Sequence, residues 1–290
     1  LRTRRQRQMC IRDRFGTAIS LSADGKVLAI GAENSNSSKG LVSIYKNENG
    51  AWVQIGETIH GQHDQAYFGD ALSLSSDGSI LAIGSFRYDT SYEGGGGGRV
   101  QVYKNVNGEW TQVGQNLDGQ VRDYFGKLVN VSSDGSIIAI GAMQYHSKRG
   151  YVQIYKNVDD VWTQVGSDIQ GESIGDYFGY AMELSDDGSV IAIGGDSNDA
   201  NGSDSGHVRI YKNIDNTWTQ IGDDIDGEAA NDYSGGRVSL SGDGNVVAIG
   251  AANNDGNGTD SGHVRVFKNE SGRWTQAVSY THLTLPTSPK

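Results

Sequence analysis

Phe68-Gly69-Asp70-Ala71-Leu72-Ser73-Leu74-Ser75-Ser76-Asp77-Gly78-Ser79-Ile80-Leu81-Ala82-Ile83-Gly84 reads as two short strands joined by a tight turn. Ser75-Ser76-Asp77-Gly78 is the turn, because Asp-Gly supplies the positive φ that a hairpin needs. The second strand, Ile80 to Gly84, is apolar without alternation, which predicts burial on both faces. Downstream, Arg99 to Tyr103 reads as a third strand, Val106-Asn107-Gly108 as a turn, and Trp110 to Leu117 as a fourth. No segment carries a helical period.

The same pattern recurs along the chain. Phe-Gly opens four units, at Phe15, Phe68, Phe125 and Phe178, and Ser234-Gly235 opens a fifth. Trp52, Trp110, Trp162, Trp218 and Trp274 mark the fourth strand of each unit. The units are 15–67, 68–124, 125–177, 178–233 and 234–276. Four up-and-down strands in about 55 residues, repeated, predict an all-β propeller of four-stranded antiparallel blades. Small residues in the strands let sheets stack closely. The five Trp residues read as repeated packing positions, because a repeated core requires the same residue in every unit.

The two ends read differently. Residues 4–14 and 277–287 can be written as reverse complements of one DNA string, which resembles a transposase-type sequencing adapter. Segments 1–14 and 277–290 are therefore expected to be non-native tails. They hold seven of the 24 basic residues, one of the 35 acidic ones, the only Cys and both Pro residues. Residues 15–276 thus carry a net charge of −17. That charge argues against a nucleic-acid partner, and no apolar run approaches the ~18 residues of a membrane span.

Phe-Gly at the head of the first four units and the second-strand ending Leu-Ala-Ile-Gly-Ala, complete at Leu28 to Ala32, resemble the FG-GAP repeats of integrin-α-type propellers. Gly31-Ala32, Gly141-Ala142 and Gly250-Ala251 stand where that family has Gly-Ala-Pro. The resemblance implies a larger, seven-bladed ring of which about five blades are visible. The family's acidic calcium loop does not carry over. Its place is taken by the short turn that holds Asp24, Asp77, Asp134, Asp187 or Asp243.

Other chemistry is sparse. Two matching loops, Asp199-Ala200-Asn201-Gly202-Ser203-Asp204 and Asp255-Gly256-Asn257-Gly258-Thr259-Asp260, place oxygen side chains alternately around a Gly. Asp199, Asn201, Asp204, Asp255, Asn257 and Asp260 are the candidate calcium ligands, against the plainer reading of a self-hydrogen-bonded turn. His207 and His263 occupy equivalent strand positions with no metal partner nearby in sequence. Gly94 to Gly98 reads as a flexible spacer. No nucleophile–base–orienter pattern and no unique acid–base cluster stands out along the chain. The expectation is therefore a non-enzymatic propeller, extracellular or on the cell surface, that binds a protein or glycan through its variable loops in adhesion or recognition. A polysaccharide hydrolase or lyase with its site at the channel mouth is the alternative, and a structural spacer is another.

Overall fold

A computed structural model describes residues 14–88, 96–143 and 148–280, with side chains to residue 278. The tails 1–13 and 281–290, and Gly94 and Gly95 of the glycine run, lie outside the described residues.

Five antiparallel sheets follow one another, each a meander. The second is representative: Ala71–Leu74, Ile80–Ser85, Arg99–Val106 and Glu109–Gln112. Its outermost strand is longer in the sequence reading than in the structure. Gly114, at φ +73°, breaks it, and Leu117–Asp118 then pairs with the same edge of the third strand. The outer strand is thus one strand with an interruption.

The Ser-x-Asp-Gly turns are built alike. Ser75 Oγ donates to Asp77 Oδ1 at 2.7 Å and accepts from Ile80 N–H at 3.0 Å, while Asp77 Oδ1 also accepts from Ser79 N–H at 2.9 Å. Both side chains close the hairpin locally, so these Asp residues are turn formers.

The core lies between sheets rather than within one. Second strands such as Ile137–Ala142 and Val190–Gly195 are buried almost throughout. Val129, Val131, Ile138 and Ile140 of the third blade pack on Val100 and Val102 of the second. Comparable clusters join the first blade to the second, the third to the fourth, and the fourth to the fifth.

Three sets of polar rungs repeat across these seams. Ala23, Ser76, Ser133 and Asp186 N–H groups donate to the carbonyls of Ser76, Ser133, Asp186 and Gly242. The backbone N–H of Leu74, Val131 and Leu184 donates to Ser20 Oγ, Ser73 Oγ and Asn130 Oδ1 of the preceding blade. Trp162, Trp218 and Trp274 Nε1 donate to Val113, Val165 and Ile221 carbonyls, again one blade back. Each Trp lies over a glycine of that preceding blade, and a Cβ on Gly114 would stand 2.7 Å from Trp162 Cδ1.

The first blade has no blade before it among the described residues. Trp52 is 44% exposed where Trp162 is 2% exposed, and Ile19 and Leu21 on the inner strand are also exposed. At the other end the fifth blade's outer strand, Arg273–Tyr280, runs through with a bulge and carries Val278 where the earlier blades have Gly56, Gly114, Gly166 and Gly222.

Candidate functional site

The inner strands Ile19–Leu21, Ala71–Leu74, Leu128–Val131, Ala181–Leu184 and Ser234–Leu240 stand side by side around the axis. The residue after each Phe-Gly therefore sits at the mouth of the axial channel. Here the repeat stops repeating: the position holds Thr17, Asp70, Lys127, Tyr180 and Gly236. A second position, just beyond the second strand, faces the same mouth and holds Glu33, Phe86, Met143, Asp196 and Ala252. Packing demands the same residue in every blade, so positions that differ in all five blades are free of that demand.

Three of these residues form a charged group. Lys127 Nζ lies 2.8 Å from Asp70 Oδ2, across the seam between the second and third blades. Asp70 is also hydrogen-bonded to Glu33, which is 3% exposed. Burial and the Glu33 carboxyl push Asp70 up to about 7, against the pull of Lys127. Burial works against ionised Glu33 as well. The Asp70 hydrogen bond, Arg14 at 3.0 Å and Lys127 outweigh it and hold Glu33 below the ordinary range. One proton is thus shared by the two carboxylates, and Asp70, which holds it, is about half ionised at neutral pH.

Aromatic rings wall one side. Lys127 Nζ stands 4.2 Å from the centre of the Phe86 ring, and Phe86 packs between Tyr67 and Tyr124. On the other side a cavity of about 340 Å³ opens between Lys127, Met143, Tyr180, Met182 and Arg237. Burial and the neighbouring Asp204 raise the Asp196 carboxyl, and Arg237 opposes them. Tyr67, Tyr124, Tyr177 and Tyr233, each just before the Phe-Gly position, adopt left-handed φ between 52° and 57°. Non-glycine residues adopt this conformation only at a cost, and such positions concentrate at functional sites.

The loop residues expected to bind calcium lie on the same face outside the cavity lining, with Asp204 beside Asp196. Asp199 Oδ1 accepts from Asp204 N–H at 2.8 Å, and Asp255 Oδ1 accepts from Asp260 N–H at the same distance. Asn201 Nδ2 donates to the carbonyls of Gly227 and Glu228. Asn257 lies at its loop's tip between Gly256 and Gly258, whose backbones bridge. The linker acids Asp123, Asp176 and Asp232 are buried and accept from Gln120, Ser173 and Ala229 N–H, so they close turns.

Residues 225–267 match the FG-GAP repeat family. No curated protein matches the chain. Among solved structures, the periplasmic gluconolactonase PpgL of Pseudomonas aeruginosa aligns over 91% of this chain and 71% of its own, with 17% identity and a TM-score of 0.60. A putative 6-phosphogluconolactonase from Bacteroides uniformis aligns over 90% and 84%, with 11% identity and a TM-score of 0.53. The Dos1 propeller aligns over 91% and 57%, with 14% identity and a TM-score of 0.54. The chain is an FG-GAP-like all-β propeller.

These neighbours correct the expectation of a non-enzymatic adhesion module. One of the three is a gluconolactonase and another a putative 6-phosphogluconolactonase, both names of hydrolases, and none of the three is named as an adhesion protein. The reason the sequence reading missed an acid–base group is spatial. Glu33, Asp70 and Lys127 come from three different blades, 37 and 57 positions apart, and only the propeller axis joins them. The signal was present as the variable residue after Phe-Gly, which alignment of the five units exposes.

Proposed function

We propose that this FG-GAP-like propeller is a hydrolase of sugar-derived lactones, acting at the channel mouth. The observation that carries the reading is the Glu33–Asp70–Lys127 group, assembled from non-repeated positions beside a cavity. The lactonase neighbours supply the substrate class.

The chemistry follows from the group's charges. Ionised Asp70 takes a proton from water as the water oxygen bonds to the lactone carbonyl carbon. Lys127 lies next to the carbonyl oxygen as negative charge develops there. The ring C–O bond then breaks, the proton passes to the departing alkoxide, and a hydroxy acid results. Arg237 and Tyr180 across the cavity offer donors to substrate hydroxyls or to an anionic substituent.

The test is proton release from glucono-δ-lactone and from 6-phosphogluconolactone, measured against spontaneous hydrolysis. Asp70→Asn should lower kcat by about 10²–10⁴-fold, the usual worth of a general base. Hydrolysis no faster than the background for both lactones would refute the reading.

A further inference from the structure

The fourth blade carries a second polar cluster, remote in kind from the channel mouth. His207 lies in the third strand, His207–Ile214, and is fully buried. The sequence supplies it with no nearby partner, but the fold does. Its Nδ1 stands 3.5 Å from Asp224 Oδ2, and Glu172 arrives from the linker before the blade. One ligand atom from each of Glu172, His207 and Asp224 lies within 4.8 Å of the others. Asp224 precedes the short strand Ile225–Asp226, which returns along the edge of the His207 strand.

Both ring nitrogens of His207 and Asp226 Oδ1 are buried without hydrogen-bond partners here, and His263 Nε2 and Arg265 Nε are so in the fifth blade. Buried polar groups are nearly always paired, so such a concentration indicates a missing partner. Charge indicates its sign. The carboxylates Glu172 and Asp224 share the single Arg209 guanidinium, so the cluster keeps a net negative charge that favours a cation.

We propose that Glu172, His207 and Asp224 bind a divalent transition-metal ion of the zinc class. An imidazole with two carboxylates suits zinc, whereas calcium takes oxygen ligands only. Two ligands at about 2.0 Å in tetrahedral geometry are about 3.3 Å apart, close to the His207–Asp224 separation. Arg209 donates from Nε to Asp224 Oδ2 at 2.9 Å and also pairs with Glu172. Asp224 Oδ2 is both the oxygen nearest His207 and the one Arg209 holds, and Oδ1 accepts from Gln220 Nε2 at 2.6 Å, so a metal bound here takes Oδ2 in place of Arg209. The fifth blade repeats His263, Arg265 and Glu228 but has Ser279 opposite Arg265, in place of the aspartate. One site per chain is therefore expected.

The probe is cobalt(II) titrated into tag-free protein, read by visible d–d absorption, with zinc as competitor. One saturating equivalent is expected, displaced by zinc and not by calcium. His207→Ala and Asp224→Asn should each weaken binding at least ~10-fold, and His263→Ala should leave it unchanged. Asp224 is partly exposed, so its variant tests the site even where the buried His207→Ala variant fails to fold. Asp70→Asn should bind cobalt normally, which separates this site from the lactonase reading. Absence of saturable uptake, or uptake undiminished in Asp224→Asn, would overturn the proposal.

Discussion

Lys127 Nζ reaches 2.8 Å across a blade seam to Asp70 Oδ2, and no other blade pair carries an equivalent ion pair at this position among the described residues. The contact joins the two parts of the molecule that differ most in constraint. The seam beneath it is fixed by packing, and the residues above it are free to vary.

The first prediction concerns pH. The folded-state value of Asp70, about 7, lies above its unfolded value near 3.8. The protonated form is therefore favoured by folding. The contribution is fully present below pH 3.8 and is lost as pH rises through 7. Asp70→Asn removes this dependence. Its melting temperature should gain on the wild type as pH rises from 4 to 8, while wild-type kcat/KM rises with an apparent pKa near 7. Parallel stability profiles for the two proteins would remove the carboxylate pair from the account.

Glycine beneath tryptophan gives a second prediction. Gly108 and Gly114 both have positive φ, but nothing lies within 4 Å of a Cβ on Gly108, whereas a Cβ on Gly114 meets Trp162. Gly108→Ala should cost about 1–2 kcal/mol from backbone strain alone. Gly114→Ala should cost about 1–3 kcal/mol more from overpacking. Chemical denaturation of the two variants measures the difference directly.

The exposed flank of the first blade should make the protein self-associate. Ile19 is 66% exposed and Leu21 54% exposed, on a face that in every other blade is covered. Sedimentation velocity should show association that rises with concentration, and Ile19→Lys with Leu21→Glu should reduce it. A single species at all concentrations in the wild type would count against this.

The matched loops lead to a calcium test. Asp204 and Asp260 share a left-handed φ and the same backbone bond to Asp199 and Asp255, so the two loops should respond together. Calcium is expected to stabilise the fold saturably and more than magnesium, by about 2.7 kcal/mol at 100 times the dissociation constant, read as a raised melting temperature. Asp204→Asn with Asp260→Asn should abolish the effect. Equal responses to the two ions would leave the loops as polar turns.

Much of the fold is legible in the sequence because packing writes it five times. The Trp positions, the Asp-Gly turns and the buried second strands each recur, and each recurrence has one physical cause. The interruption of the outer strand was less visible, since Gly114 sits inside a run that alternates like a strand. The channel-mouth group and the His207 cluster were hidden for a different reason. Their members are single residues contributed by separate blades or linkers, and nothing local to Asp70 or His207 announces Glu33 or Glu172. Repetition reveals a scaffold, and departures from it reveal chemistry only after the copies are superposed.

Each set of seam rungs keeps one direction: the Trp162, Trp218 and Trp274 indoles and the inner-strand N–H groups reach back to the blade before, while the turn N–H groups of Ala23, Ser76, Ser133 and Asp186 reach forward to the blade after. A blade thus presents one set of donors and acceptors on its leading flank and the matching set on its trailing flank, like a coupling with a plug at one end and a socket at the other. Duplication or excision of a whole unit leaves every remaining junction properly mated. Such a gene can lengthen, shorten or shuffle by recombination within the repeat, and each event reassigns which residue stands after Phe-Gly at the mouth. The polarity of the rungs therefore makes this a fold on which new specificities can arise by rearranging units, without redesigning a single interface.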